Sequence, residues 1–142
     1  MYHEKQLKLL CGVHAINNAL GERLLSRCDV DIEVGLLEPG HGTSDGAYSV
    51  TALQRALQKK GYILRKLGGK GHMWLGAQKS GHFLALGCHR RHRLDALHYV
   101  GVNASANVVI DSARKTRLRL DSAGVLAVLS CGIDKLYRIQ RQ

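Results

Sequence analysis

Cys11 stands where a polar lead meets an apolar helical stripe, and this placement restricts the fold more than any other feature of the chain. The segment reads Tyr2-His3-Glu4-Lys5-Gln6-Leu7-Lys8-Leu9-Leu10-Cys11-Gly12-Val13-His14-Ala15-Ile16-Asn17-Asn18-Ala19-Leu20. Val13, Ile16, Ala19 and Leu20 fall on one side of a helix, so residues 11–20 read as a helix that starts at the cysteine and stops at Gly21. Gln6 lies five residues before the cysteine. A thiol in the first turn of a helix, with an amide donor upstream, is how a nucleophilic cysteine is presented. The partial positive charge of the helix N-terminus favours the thiolate, which is the reactive form. Gly12 would leave room beside the sulfur for a substrate carbonyl.

The chain has 142 residues and 45% apolar content, enough for one domain, 1–142, with a real core. No apolar run approaches the roughly 18 residues of a membrane span, and the N-terminus has no apolar signal core. The expectation is an intracellular protein of the cytoplasm or nucleus, a monomer without membrane contact, in a reducing compartment. Cys11, Cys28, Cys88 and Cys131 are then free thiols. None of them forms a Cys-x-x-Cys pair, which argues against a zinc ribbon, and no metal or cofactor is expected. Cys28, Cys88 and Cys131 read as small structural side chains. The formal charge of +10, from 21 basic and 11 acidic side chains, favours acidic partners. Nucleic acid is one such class, but only 5% of residues are aromatic, so stacking platforms are scarce. The basic residues are spread out apart from Arg90, Arg91 and Arg93 and the stretch 114–119, and a solvated basic surface accounts for the charge equally well.

Residues 22–34 are ambiguous: Leu24 and Leu25 favour a short helix, Val30 and Ile32 an extended piece. Residues 38–46 form a loop by composition. Ser49 caps a second helix over roughly 49–60, with Val50, Leu53, Ala56 and Leu57 as its buried stripe and Gly61 as its end. Residues 62–67 read as a strand, and Gly68, Gly69 and Gly71 as a turn. Met73, Trp74 and Leu75 are too few to assign. Strands follow at His82–His89, Leu97–Asn103 and Val108–Ile110, joined by the polar turn 90–93 and the turn 103–107. Asp121 or Ser122 starts a late helix through about Ser130, ended by Cys131-Gly132. Leu136–Ile139 closes the chain as a strand. The fold class is α+β, with N-terminal helices packed on an antiparallel sheet.

A nucleophilic cysteine needs a base, and His98 is the candidate. It lies near the start of the strand that leads into the 103–107 turn. Counting back from that turn, Asn103 faces about Asn107 and His98 faces about Asp111 or Ser112. The hairpin therefore brings a carboxylate to the imidazole, where it can fix tautomer and orientation. The Gln6 amide and the Cys11 backbone N–H would donate to the oxyanion of a tetrahedral intermediate. His82 also opens a strand and is the rival base, but no acid faces it across a hairpin. His14, at i+3 from Cys11, tunes the thiol or simply caps and packs. Taken singly, each of these residues has a structural explanation. The joint order of glutamine, helix-start cysteine and late His–Asp hairpin is far more specific.

This order resembles the Josephin family of deubiquitinating cysteine proteases. The likeness is carried by His3-Glu4-Lys5-Gln6, Leu10-Cys11, His14 and Asn17-Asn18. It resumes at Ser44-Asp45-Gly46-Ala47-Tyr48-Ser49-Val50 and ends in His98-Tyr99 and Ile110-Asp111-Ser112. The resemblance implies a papain-like fold with Cys11 as nucleophile, His98 as general base and Asp111 as orienting residue, where the family often has asparagine. It also implies Gln6 in the oxyanion hole and hydrolysis of isopeptide or peptide bonds after the C-terminal glycine of ubiquitin. Two features depart from the family pattern. Residues 22–45 leave little room for its ubiquitin-gating helical hairpin, and Tyr99 stands where an indole often follows the histidine. The alternatives are a papain-like peptidase for another glycine-ended tail, a ubiquitin-like modifier or a leader peptide, and a non-catalytic basic binding module.

Overall fold

The computed structural model describes residues 11–37, 39, 48–67, 80–89, 97–112, 117–121, 124–126 and 129–142. For Cys11, Cys88, His89, Leu97, residues 129–132 and 134 the description is of backbone alone. Among the described residues, three helices come in the N-terminal half: α1 (Cys11–Leu20), α2 (Arg27–Leu36) and α3 (Val50–Lys59). Among the described residues, six strands follow: β1 (Tyr62–Lys66), β2 (His82–His89), β3 (Leu97–Asn103), β4 (Val108–Ile110), β5 (Leu118–Arg119) and β6 (Leu129–Arg141). They form one antiparallel sheet in the order β1-β6-β2-β3-β4-β5. The α+β expectation holds. Among the described residues, no helix is long and apolar enough to cross a membrane.

Two apolar clusters form, and strand alternation separates them. One joins Val13, Ile16 and Ala19 of α1 and Leu53 and Leu57 of α3 to Leu64, Leu84, Leu86, Tyr99, Tyr137 and Ile139 of the sheet. The other takes the alternate positions Phe83, Ala85, Val100, Val102, Val109 and Leu136, with Val125 against them. The helices thus cover one face of the sheet. α1 lies so close to β3 that a Cβ at Gly101 would sit 2.4 Å from the Ala15 carbonyl oxygen. Only glycine permits this approach.

Residues 27–36 are helical, which resolves the ambiguity of this stretch. Ser26 accepts from the Asp29 backbone N–H at 3.3 Å while the Asp29 carboxylate accepts from the Ser26 N–H at 2.9 Å, a reciprocal cap. Buried Asn17 prepares this start. Its amide donates to the Leu25 carbonyl, and its side-chain oxygen accepts from the backbone N–H groups of Leu24 and Leu25. Ser49 caps α3 as expected, accepting from Ala52 N–H at 3.2 Å.

The expected helix from Asp121 to about Ser130 is corrected. Asp121 does cap a turn, accepting from Gly124 N–H at 2.8 Å, and among the described residues of this stretch only 124–126 are helical. From Leu129 the chain is strand, and Cys131-Gly132 lies inside β6 rather than at a helix end. β6 pairs with β1 on one side and β2 on the other, so non-local pairing decides the conformation over local propensity. The expected turns at 68–71 and 90–93, the loop 38–46 (apart from Pro39) and Met73–Leu75 lie outside the described residues.

Candidate active site

The Nε2 of His98 lies 2.7 Å from Oδ1 of Asp111, and both side chains are 1% exposed. The expected carboxylate therefore meets the expected imidazole, but through a different register. Asn103 pairs with Val108, not Asn107, and Gly101 pairs with Ile110. Asn107 adopts φ +58 and accepts a place in the turn, donating its N–H to the Ala104 carbonyl at 3.1 Å. Asparagine tolerates this left-handed conformation, so the loop is one residue longer than counted. Continued one step, the register puts Asp111 opposite Val100 and diagonal to His98. A diagonal pair still shares a face and lies within reach of long side chains.

Asp111 engages Nε2, so the carboxylate accepts the Nε2 proton and exchange with a nucleophile would pass through Nδ1. A buried imidazole held in one tautomer is oriented as a base must be. Ser112, beside Asp111, is also buried. Strand alternation puts His98 on the face of Val100 and Val102, whereas α1 lies on the face of Tyr99 and Gly101. His98 is the second residue of β3, at the end of the sheet. A group carried by α1 would meet the imidazole past the start of this strand.

The first turn of α1 packs against the Tyr99 side chain, on the face of β3 opposite His98. A Cβ at Gly12 would lie 2.8 Å from Leu53 Cδ1 and 3.4 Å from Tyr99 Cδ2. This corrects the reading of Gly12 as room for a substrate carbonyl: the space is filled by α3 and by the residue that follows His98. The Tyr99 hydroxyl in turn donates to the Tyr48 carbonyl at 3.2 Å. Tyr48 donates its own hydroxyl to Asp31 Oδ1 of α2 at 2.6 Å. Tyr99 and Tyr48 thus tie the β3 start, the α3 start and α2 together. Sequence reasoning missed this role, although Tyr48 and Tyr99 both stand in the blocks that carry the family likeness.

His82 is not a base for Cys11. Its Nδ1 lies 2.7 Å from the Ala19 carbonyl oxygen at the C-terminal end of α1, eight residues and about 12 Å of helix rise beyond the cysteine. His14 is buried within α1, as are its neighbours from Gly12 to Ala19. Cys11 occupies the first position of α1, as expected, while its side chain and the whole of Gln6 lie outside the described residues. Cys28 on α2 is a free thiol as expected, but it is exposed rather than a small structural side chain. The side chains of Cys88 and Cys131 lie outside the described residues.

Among the described residues, no three His, Cys, Asp or Glu side chains are grouped so as to hold a metal ion. No protein-family model and no curated protein sequence matches the chain.

Proposed function

We propose that the chain is a cysteine-dependent deubiquitinase, one catalytic domain of papain-like fold that hydrolyses isopeptide or peptide bonds after the C-terminal glycine of ubiquitin. The observation that carries this reading is the buried His98–Asp111 pair at 2.7 Å, in a chain whose first described helix begins at Cys11. In the reaction, the Cys11 thiolate attacks the glycine carbonyl and its electron pair moves to the oxygen. Gln6 and the Cys11 backbone N–H hold that oxyanion. The His98 imidazolium protonates the departing amine, which leaves a thioester. Water, deprotonated by His98, then releases the glycine carboxylate and restores the thiol. Asp111 keeps the imidazole oriented through both halves. The setting is a reducing intracellular compartment with the protein as monomer.

Ubiquitin bearing a C-terminal electrophile tests this directly. Wild-type protein should be labelled, Cys88→Ala should be labelled equally, and Cys11→Ala should not. Labelling that survives Cys11→Ala would remove the assignment. A parallel panel of ubiquitin-like probes assigns the glycine-ended tail: labelling by one of these and not by ubiquitin would keep the thiol chemistry and replace the substrate.

A further inference from the structure

Glu33 is a carboxylate that α2 buries, its side chain 2% exposed, and α3 sets two cations over it. Arg55 and Lys59 stand four residues apart, so both fall on one face of that helix. The Lys59 ammonium lies 3.0 Å from Glu33 Oε2. Arg55 approaches Oε1 only to 3.6 Å, through Nε, beyond hydrogen-bonding distance. One cation suffices to pair one buried carboxylate, so the packing of α2 on α3 does not account for the second. Among the described residues, neither cation pairs with another acid. Both reach solvent, Arg55 at 46% and Lys59 at 60% exposure. Together with Glu33, Gln58 and Gln142 they line a cleft of about 610 Å³. Gln142 is fixed there by its backbone N–H, which donates to the Gly61 carbonyl at 2.9 Å. The last turn of α3 also borders the cleft, and bare carbonyls at a helix end repel anions. Here they are occupied: Lys60 N–H donates to the Leu57 carbonyl at 2.9 Å and Gly61 N–H to the Gln58 carbonyl at 3.1 Å.

We infer that this cleft binds the phosphate group of a small phosphorylated molecule, with Arg55 and Lys59 as the pair that holds it. Two cations over one carboxylate leave the cleft a net positive charge, and the chain's +10 adds long-range attraction for an anion. Glu33 anchors both cations from below, so their charge is placed before the ligand arrives. The guanidinium offers a planar fork of donors and the ammonium a compact charge, a combination suited to phosphate oxygens. The side-chain amides of Gln58 and Gln142 add neutral donors. No aromatic or aliphatic residue lines the cleft, so nothing in it stacks a base or holds an acyl chain. Its volume falls within the range of about 300–1,000 Å³ usual for small-molecule sites, which leaves room for more than a bare phosphate. The site uses no residue of the proposed thiol chemistry.

Isothermal titration calorimetry at low ionic strength, with glucose 6-phosphate, orthophosphate, glucose and acetate as probes, tests the inference. Wild-type protein and Cys11→Ala should bind glucose 6-phosphate alike, and glucose should give no heat. Arg55→Gln should weaken binding about 10-fold, the effect of losing one charge-assisted hydrogen bond. It leaves the Lys59–Glu33 pair in place, so its melting temperature should stay close to that of wild type and weakened binding cannot be misread as unfolding. Lys60→Gln is the control for net charge: Lys60 pairs with Asp29 at 3.6 Å and does not line the cleft, so affinity should not change. Orthophosphate bound as tightly as the ester would assign the free anion as the ligand, and weaker binding would assign the ester, both by the same pair of cations. No heat from either phosphate with wild type, an equal loss in Lys60→Gln and Arg55→Gln, or equal affinity for acetate would overturn the assignment.

Discussion

Gly101→Ala should be among the most damaging single-methyl changes in the molecule. The added Cβ would lie 2.4 Å from the Ala15 carbonyl oxygen and 2.9 Å from the Ala19 amide nitrogen, against 3.4 Å or more for ordinary contact. Both neighbours are backbone of a helix whose residues 12–19 are all buried, so no side chain can rotate away. Relief requires α1 and β3 to part by about 1 Å. Overpacking of this kind costs about 1–3 kcal/mol, and a rigid backbone partner puts the change at the upper end. A domain of this size is stable by about 5–15 kcal/mol, so the variant should still fold. Urea unfolding should show a lower midpoint with an unchanged slope. Because α1 carries Cys11, the same shift should slow probe labelling by about 100-fold, the usual effect of a 1 Å misplacement. Gly35→Ala is the control. Gly35 lies within α2 with nothing within 4 Å of an added Cβ, and alanine there should stabilise by about 0.5–1 kcal/mol. A Gly101→Ala loss under about 0.5 kcal/mol, with labelling intact, would refute the close α1–β3 approach on which the site is built.

Other outcomes follow from the same geometry. Asp111→Ala strands a buried imidazole and should cost about 1–3 kcal/mol in unfolding experiments, with labelling lost. Asp111→Asn should keep more labelling than Asp111→Ala, because an amide oxygen can still accept the Nε2 proton. Glu33 is buried between α2 and α3, and the hydrogen bond from Lys59 holds its carboxyl below the usual range, with further help from the charges of Lys59 and Arg55. A carboxyl lowered in the folded state adds stability above its unfolded pKa, near 4.5, that is lost as pH falls through the folded value. Urea midpoints should therefore fall less between neutral and acid pH in Glu33→Gln than in wild type. Burial, and then the hydrogen bond to Asp31, raise the Tyr48 hydroxyl above the usual tyrosine range. A raised folded value means stability present below about pH 10 and lost above it as the unfolded tyrosine ionises. Tyr48→Phe should remove that alkaline loss, seen in thermal melts across pH, at a cost of about 1 kcal/mol at neutral pH.

The elements legible in the sequence are those whose signals are local. Ser49 and the stripe Val50, Leu53, Ala56 and Leu57 announce α3, and the apolar runs at 82–89 and 97–103 announce β2 and β3. α2 was obscured because Val30, Ile32 and Val34 are β-branched, while its cap uses Asp29 where glutamate or glutamine is the common signal. β6 could not be read locally, since its strand state depends on β1 and β2, distant in sequence. β5, two residues long, has no sequence signal of its own. In the site, the partnership of His98 with Asp111 was legible from residue order. Its diagonal register was not, because it turns on the φ of Asn107. Gly12 misled for a related reason: local sequence cannot say that Leu53 and Tyr99 close over it.

Pairing of the Cys11 thiol with the His98 imidazole is the central claim, and the pH dependence of Cys11 alkylation tests it most directly. Iodoacetamide modification of Cys11, followed by mass spectrometry across pH, should show a thiol that reacts as thiolate well below the ordinary value near ~8.5. In His98→Ala the profile should move back toward that value, while the profile of exposed Cys28 stays the same in both proteins. An identical Cys11 profile with and without the imidazole would mean that the helix and the buried His98–Asp111 pair do not meet.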